Sequence, residues 1–468
     1  MYNLEDIKIL KDKFPDIDEE VKDMILDNIE PKREVIESVL SIIRDFIKNN
    51  NRIVYGGIAH NEVIKLKSPK DSFYGKNDYG DYDFYSPTPL EDIVKIANIL
   101  HEKGYKDIYC REALHDETFS VTMNFKLYCD ITYMPKYIFD NMPVKIIDEI
   151  KYIHPHVAII DYLRMFTDPM FSSFRWEKAL KRIRLLENLY PITKHKIIVK
   201  ETSNNDDIMD KVFELLLRDT IIFIGDYAYN YYVEKANFKD FVPIIQYMVI
   251  STNYKTDANE IYRSLTKLFP ITYKEYYNFF QFTGKCIEFS TNNKPILIIY
   301  DYNEVCTPYF KLNAINFHTK KILDNDILIA PFPLTILFLL IHGLYLFVKK
   351  NKLSVNYYNR VVDLIDIRNK YFKKNKKTIF DNTIFKEFNT KCTGKTITLQ
   401  QKKKLIKDTK CKGHNRFSYD PDKDKSINTK HNYCNTSGNI INNPKDSIII
   451  RKLDRTKKNK KNKKKSSK

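Results

Sequence analysis

The chain has 468 residues, 43% of them hydrophobic and 13% aromatic, which is too long for one ordinary core and too apolar for a disordered chain, so two or three folded domains are expected. The formal net charge is +18, but residues 401–468 hold 22 Lys/Arg against 6 Asp/Glu, a net of +16 that leaves +2 for the first 400 residues. The positive charge therefore belongs to a tail and not to a basic folded surface.

The start, Met1-Tyr2-Asn3-Leu4-Glu5-Asp6, is polar and acidic and does not resemble a secretory signal. Seven cysteines at irregular spacing suggest a reducing compartment rather than a disulfide framework. The apolar run from Leu334 to Val348 is about 15 residues, short of the roughly 20 that cross a bilayer, and contains His342 and Gly343. A buried core helix is expected there, with no membrane partner.

In chain order, residues 1–50 read as helical, with Val35, Ile36, Val39, Leu40, Ile43, Phe46 and Ile47 in one apolar stripe behind Pro31. A short strand, Ile53-Val54-Tyr55, runs into Gly56-Gly57 and a helix from Ile58 to Leu66; a polar loop leads to Asp81-Tyr82-Asp83. Thr88-Pro89-Leu90-Glu91 has capping-box spacing before a helix that Gly104 ends. Residues 119–132 alternate apolar and polar, from Phe119 to Thr132, and predict one long strand with a wet face carrying Asp130. Helical spacing returns from His156 to Tyr190.

The second half weakly repeats the first. Ile53-Val54-Tyr55-Gly56-Gly57 aligns with Ile222-Phe223-Ile224-Gly225-Asp226, Ile138-Phe139-Asp140-Asn141 with Ile322-Leu323-Asp324-Asn325, and a helix around Arg182 with one around Arg360. Chance likeness in a biased composition is the competing explanation. Beyond residue 373 periodicity fades, and Arg451–Lys468 is a plain basic run.

Asp81 and Asp83, two apart on a strand, share a face, and Asp130 sits on the polar face of the later strand. Clustered carboxylates are costly without cations. Oxygen ligands of this kind suit Mg²⁺ or Mn²⁺, and two such ions can hold the attacking and leaving oxygens of a phosphoryl transfer. A strand ending in Gly-Gly before a helix lets backbone N–H groups approach a phosphate. Each feature alone is weak; their order makes the signal.

That order resembles the nucleotidyltransferase superfamily that includes DNA polymerase β. Tyr82-Asp83-Phe84-Tyr85-Ser86, Leu127-Tyr128-Cys129-Asp130-Ile131-Thr132-Tyr133, and Asp168-Pro169 with Arg175-Trp176-Glu177-Lys178 are similar to the poly(A) polymerase catalytic subunits of large cytoplasmic DNA viruses. The resemblance implies an α+β fold: an N-terminal helical segment (1–50), a catalytic domain (51–195), a second, degenerate and non-catalytic nucleotidyltransferase-like domain (200–372), and a basic, disordered tail (373–468). It implies template-independent addition of AMP from ATP to RNA 3′ ends, in the host cytoplasm and the virion. A second copy of the chain or a processivity subunit is the implied protein partner.

In this reading Asp81, Asp83 and Asp130 are the catalytic metal ligands, and Gly56 and Gly57 bind phosphates. Lys178 and Arg182, four apart on a helix, are nucleotide-binding candidates, although a solvated face explains them as well. His60 is expected to be packed and Trp176 to anchor the core. Cys411, His414, His431 and Cys434 have zinc-ligand spacing, yet their polar flanks fit free side chains better. Other readings of the same motifs are uridylyl or CCA addition, cyclic-dinucleotide synthesis, or a non-catalytic RNA-binding subunit.

A basic tail gains RNA affinity by counterion release. Deleting residues 451–468 is therefore expected to weaken RNA binding and flatten its salt dependence while leaving turnover at saturating RNA unchanged. An unchanged slope of log affinity against log salt would contradict this.

Overall fold

A computed structural model of the protein describes residues 2–113, 117–196, 198–201, 206–277, 285–302 and 305–394, with short stretches beyond at 396, 398, 400–401, 404, 417–424, 433–434 and 440–441. The chain divides into two compact units, the first mainly residues 1–162 and 176–192, the second mainly 163–175 and 193–396.

In the first unit the helix Arg33–Asn49 buries Ile36, Val39, Ile43, Phe46 and Ile47, most of the predicted stripe. Its sheet is built from β1 (Ile53–Tyr55), β2 (Tyr82–Ser86), β3 (Ile108–Glu112), β4 (Thr118–Met123), β5 (Lys126–Tyr133), β6 (Val144–Ile147) and β7 (Ile150–Ile153). The order is β3-β4-β5-β2-β1-β7-β6. The β2–β5 and β1–β7 pairs are parallel and the others antiparallel.

Two local expectations need correction. The single long strand over 119–132 is a hairpin of β4 and β5, turned at Asn124 and Phe125, which have φ of 47° and 62°. The two-residue turn pairs Met123 with Lys126 and so flips the parity of the alternation, but the irregularity between Val121 and Thr122 flips it back, pairing Val121 with Cys129 and Ser120 with Asp130, so the pattern reads as one unbroken strand. Thr88 does not form the expected capping box: it makes no side-chain cap hydrogen bond. The start of the helix Pro89–Glu102 is instead held by buried Asp92, which accepts from Ser86 Oγ at 2.6 Å and from Arg52 Nε at 2.5 Å.

The second unit has β8 (Ile221–Ile224), β9 (Tyr247–Ser251), β10 (Thr272–Tyr277), β11 (Lys285–Thr291), β12 (Lys294–Asp301), β13 (Thr307–Pro308), β14 (Phe310–Asn316) and β15 (Lys321–Ile329). Its main sheet runs β10-β11-β12-β9-β8-β15-β14, with β9–β12 and β8–β15 parallel and the rest antiparallel. Strand for strand, this is the topology of the first sheet. The internal anchor recurs as well: Asp257 accepts from Ser251 Oγ at 2.6 Å and from Arg218 Nη1 at 3.4 Å. The apolar helix Phe332–Val348 is buried over almost its whole length, and no helix among the described residues is long and apolar enough to cross a membrane.

The repeat is thus real at its first and third points of likeness. Gly56 and Gly225 both begin a helix, with φ of +69° and +63°. The helices carrying Arg182 (Trp176–Leu189) and Arg360 (Ser354–Asn375) each pack on the helix that follows that glycine. The second likeness is accidental, because Ile138 lies in a short helix (Lys136–Phe139) and Ile322 in strand β15.

Segments read from sequence as tail belong to the folded units. In the second unit Cys306 and Cys392 form a disulfide across 86 residues, where β13 pairs with β16 (Cys392–Thr393), and Phe385 is fully buried. The cysteine spacing gave no sign of this disulfide: pairing of two-residue strands creates the contact, and such strands have no periodicity to read. In the first unit β17 (Ser418–Tyr419) adds to the edge of β3, and Phe417 packs edge-on against Phe119. Arg451–Lys468 lies outside the described residues.

Arg360 holds two buried acids in the second unit, with Nη2 2.6 Å from Glu201 and Nε 3.2 Å from Asp226. Replacing Arg360 by Met strands both carboxylates, which costs about 3–5 kcal/mol. Chemical denaturation should show that loss, and a change below about 1 kcal/mol would contradict the assignment.

Candidate active site

The site begins at a glycine. Tyr55 ends β1 in extended conformation and Gly56 opens the helix Gly56–Lys67 at positive φ, a region that residues with a Cβ rarely adopt. Space makes the same demand: a Cβ on Gly56 would fall 2.0 Å from Asp83 Oδ2. The helix can therefore start against the carboxylate only if this residue is glycine.

Asp83 stands opposite Tyr55 on β1 and opposite Asp130 on β5. Asp81 precedes β2 by one residue. One carboxylate oxygen from each of Asp81, Asp83 and Asp130 lies within 4.8 Å of the others, and among the described residues no other set of three His, Cys, Asp or Glu does this. The structure thus brings together all three predicted acids. Ser120, opposite Asp130 on β4, donates to Asp130 Oδ1 at 2.6 Å and fixes its rotamer.

The cluster is electrostatically unfinished. Burial, then the charges of Asp81 and Asp130, push the Asp83 carboxyl well above the usual range. Burial pushes Asp130 up to about 6, although the Ser120 hydrogen bond works the other way. Among the described residues none of the three acids forms a salt bridge with Lys, Arg or His. Arg111 acts on Asp130 only through its charge, and three oxygen donors on one point without a salt-bridged cation fit a divalent ion.

The other predicted residues fare differently. Gly57 lies in the first turn of the same helix, and a Cβ there would fall 2.1 Å from the Tyr74 hydroxyl. Arg182 is half-buried, stacked 3.9 Å over the Phe73 ring, and donates to the Tyr162 hydroxyl at 3.1 Å. Lys178 is exposed. His60 is packed as expected: it is 3% exposed, its Nδ1 lies 2.5 Å from the Tyr162 hydroxyl, and burial lowers its pKa to about 4. Trp176 is only half-buried and does not anchor the core; it heads a helix whose buried face is carried by Ala179, Ile183 and Leu186. Cys411, His414 and His431 lie outside the described residues, and Cys434 is described only as part of the strand Tyr433–Cys434.

Sequence reading missed Ser120, Tyr74 and Asp161, whose charge also raises Asp83. The polar loop around Tyr74 has no periodicity, so only the three-dimensional contact reveals it.

The duplicated sheet shows what the acids' counterparts have become. Ile224 stands opposite Met248 as Tyr55 does opposite Asp83, and Met248 opposite Ile298 as Asp83 does opposite Asp130. Gln246, Met248 and Ile298 thus occupy the places of Asp81, Asp83 and Asp130. A Cβ on Gly225 would fall 2.8 Å from Met248 Sδ, so the glycine kept its packing role after the carboxylate was gone. Asp226 replaces the second glycine; burial pushes its pKa up to about 7 despite Arg360.

The family models meet these two units in turn. "Poly(A) polymerase catalytic subunit" matches residues 41–172, and "APMV, Putative poly(A) polymerase, catalytic subunit, C-terminal" matches residues 185–452. The chain belongs to the poly(A) polymerase catalytic subunit family. It is 32% identical to a "Putative poly(A) polymerase catalytic subunit" of Acanthamoeba polyphaga mimivirus, over 97% of this chain and 85% of that one. A protein of the same description from an African swine fever virus isolate is 28% identical, over 72% and 73% of the two chains. The crystal structure of the Megavirus polyadenylate synthase superposes with a TM-score of 0.82 at 30% identity, covering 94% of this chain and 93% of that one. The α+β fold and the nucleotidyltransferase class expected from the motifs are those of this family.

A carboxyl whose pKa is raised on folding costs stability above its folded pKa and none once both states are protonated. At this cluster the metal-free protein therefore loses stability as pH rises from about 4 through 6, and a bound cation restores it. The rise in melting temperature on adding Mn²⁺ should be large at pH 7.5 and fade below about pH 6. A shift independent of pH would contradict the cluster as the binding site.

Proposed function

We propose that the chain transfers AMP from ATP to the 3′-hydroxyl of RNA without a template, and that Asp81, Asp83 and Asp130 carry the reaction. The observation behind this reading is the convergence of the three carboxylates beside the glycine-started helix. Two Mg²⁺ or Mn²⁺ ions bound there would acidify the primer hydroxyl and neutralise charge on the transferring phosphate. Asp81 and Asp83 would be shared by both ions, and Asp130 would complete the site on the primer side. Ser120 occupies one Asp130 oxygen, which leaves the other directed to a ligand.

The first-turn N–H groups after Gly56 and Gly57 face the β- and γ-phosphates in this reading. Arg182 supplies positive charge beside them, and the exposed Lys178 a second. The second unit, with Gln246, Met248 and Ile298 in place of the acids, takes no part in the chemistry and serves as scaffold. RNA is the polymeric substrate, with the basic tail contributing salt-dependent affinity. A partner subunit fits the catalytic-subunit description of the relatives, and the host cytoplasm and virion fit their viral origin.

Asp83→Ala or Asp130→Ala should lower AMP addition to a short RNA by at least ~100-fold, as expected on losing a principal electrostatic stabiliser, with the fold kept. The acids are blind to the base, so nucleotide choice needs its own arm: the same assay with each of the four NTPs should show preference for ATP. Wild-type rates in either variant, or equal use of UTP, would overturn the proposal.

A further inference from the structure

The chain contains 11 glycines in 468 residues, and three of them surround two polar groups. Gly56 makes room for the Asp83 carboxylate, while Gly57 and Gly80 make room for the Tyr74 hydroxyl: a Cβ would fall 2.1 Å from that oxygen at Gly57 and 3.2 Å at Gly80. The Tyr74 oxygen is therefore wedged between the first turn of the helix and the residue that precedes Asp81. Its loop is pinned there. Asn61, 5% exposed and one turn along the same helix, accepts from Phe73 N at 2.9 Å, Tyr74 N at 3.3 Å and Ser72 Oγ at 3.0 Å.

Arg182 sets the charge around the phenol. Its guanidinium lies over the ring of the adjacent Phe73 and donates to the Tyr162 hydroxyl at 3.1 Å, and its charge opposes the burial that raises the Tyr74 phenol. A guanidinium only donates, so the Tyr162 oxygen accepts from it. Tyr162 can then give its own proton to His60 Nδ1 at 2.5 Å. The Tyr74 hydroxyl thus lies within reach of the Arg182 charge and against the helix end that Asp83 abuts.

We propose that Tyr74 is a phosphate-positioning residue, whose hydroxyl donates to the triphosphate of the incoming nucleotide. The assignment rests on the nucleotidyltransferase reading of the acid cluster. Any anion spanning the cluster and the first-turn N–H groups must pass this hydroxyl.

The test is equilibrium binding of inorganic tripolyphosphate in the presence of Mn²⁺, which involves neither base nor RNA. Tyr74→Phe keeps the ring between its glycines and removes only the donor. It should weaken tripolyphosphate binding by about 10-fold or more, as for a lost hydrogen bond to a charged group, while binding of Mn²⁺ alone is unchanged. KM for ATP should rise by a similar factor and KM for RNA should not, a split that a merely structural tyrosine would not produce. Gly80→Ala, which keeps the hydroxyl but crowds it, should weaken tripolyphosphate binding too and decides the matter if Tyr74→Phe does not fold. Wild-type affinity in both variants would overturn the role of Tyr74. Failure of the wild-type protein to bind tripolyphosphate with Mn²⁺ would instead overturn the nucleotidyltransferase reading, and this assignment with it.

Discussion

The first unit is arranged around one close approach: the Asp83 carboxylate occupies the space where residue 56 would otherwise carry a Cβ. This contact joins the end of β1, the start of the following helix and the acidic strand β2 at one point. The parallel pairing of β2 with β5 then sets Asp130 beside Asp83. Sheet register, glycine conformation and charge cluster are thus one constraint. The price of bringing the acids together is electrostatic, visible in the raised Asp83 and Asp130 carboxyls, and a divalent cation bound there would offset it.

The second unit shows the same frame with the chemistry removed. The strand order, the Ser–Asp–Arg anchor and the positive-φ glycine persist, so these features belong to the scaffold. With Gln246, Met248 and Ile298 in the acids' places, Asp226 is matched by Arg360 rather than by an ion. The cradle at the second glycine is filled from within. Comparing the halves thus separates residues that the fold needs from residues that the reaction would need.

Much of this was legible in sequence for definite reasons. Asp81 and Asp83 are two apart beside a short strand, Asp130 sits on an alternating pattern, and strand-glycine-helix junctions recur in order. What escaped did so because its signal is not local. The β4–β5 turn at Asn124 and Phe125 flips the parity of alternation and the irregularity at Val121 and Thr122 flips it back, so one strand and a hairpin look alike. Ile138 and Ile322 matched by composition alone. The Cys306–Cys392 pair and the docking of Phe417 and Tyr419 depend on two-residue strands meeting partners far away in the chain. Tyr74 lies in a polar loop whose purpose appears only once Gly57, Gly80 and Asn61 surround it.

The central claim, that the acid cluster of the first unit alone holds the cations, is tested most directly by anomalous scattering from crystals grown with Mn²⁺ and a non-hydrolysable ATP analogue. The account predicts manganese peaks bounded by Asp81, Asp83 and Asp130, and none near Gln246, Met248 and Ile298. Manganese at the second unit's cradle, or none between the three aspartates, would contradict it.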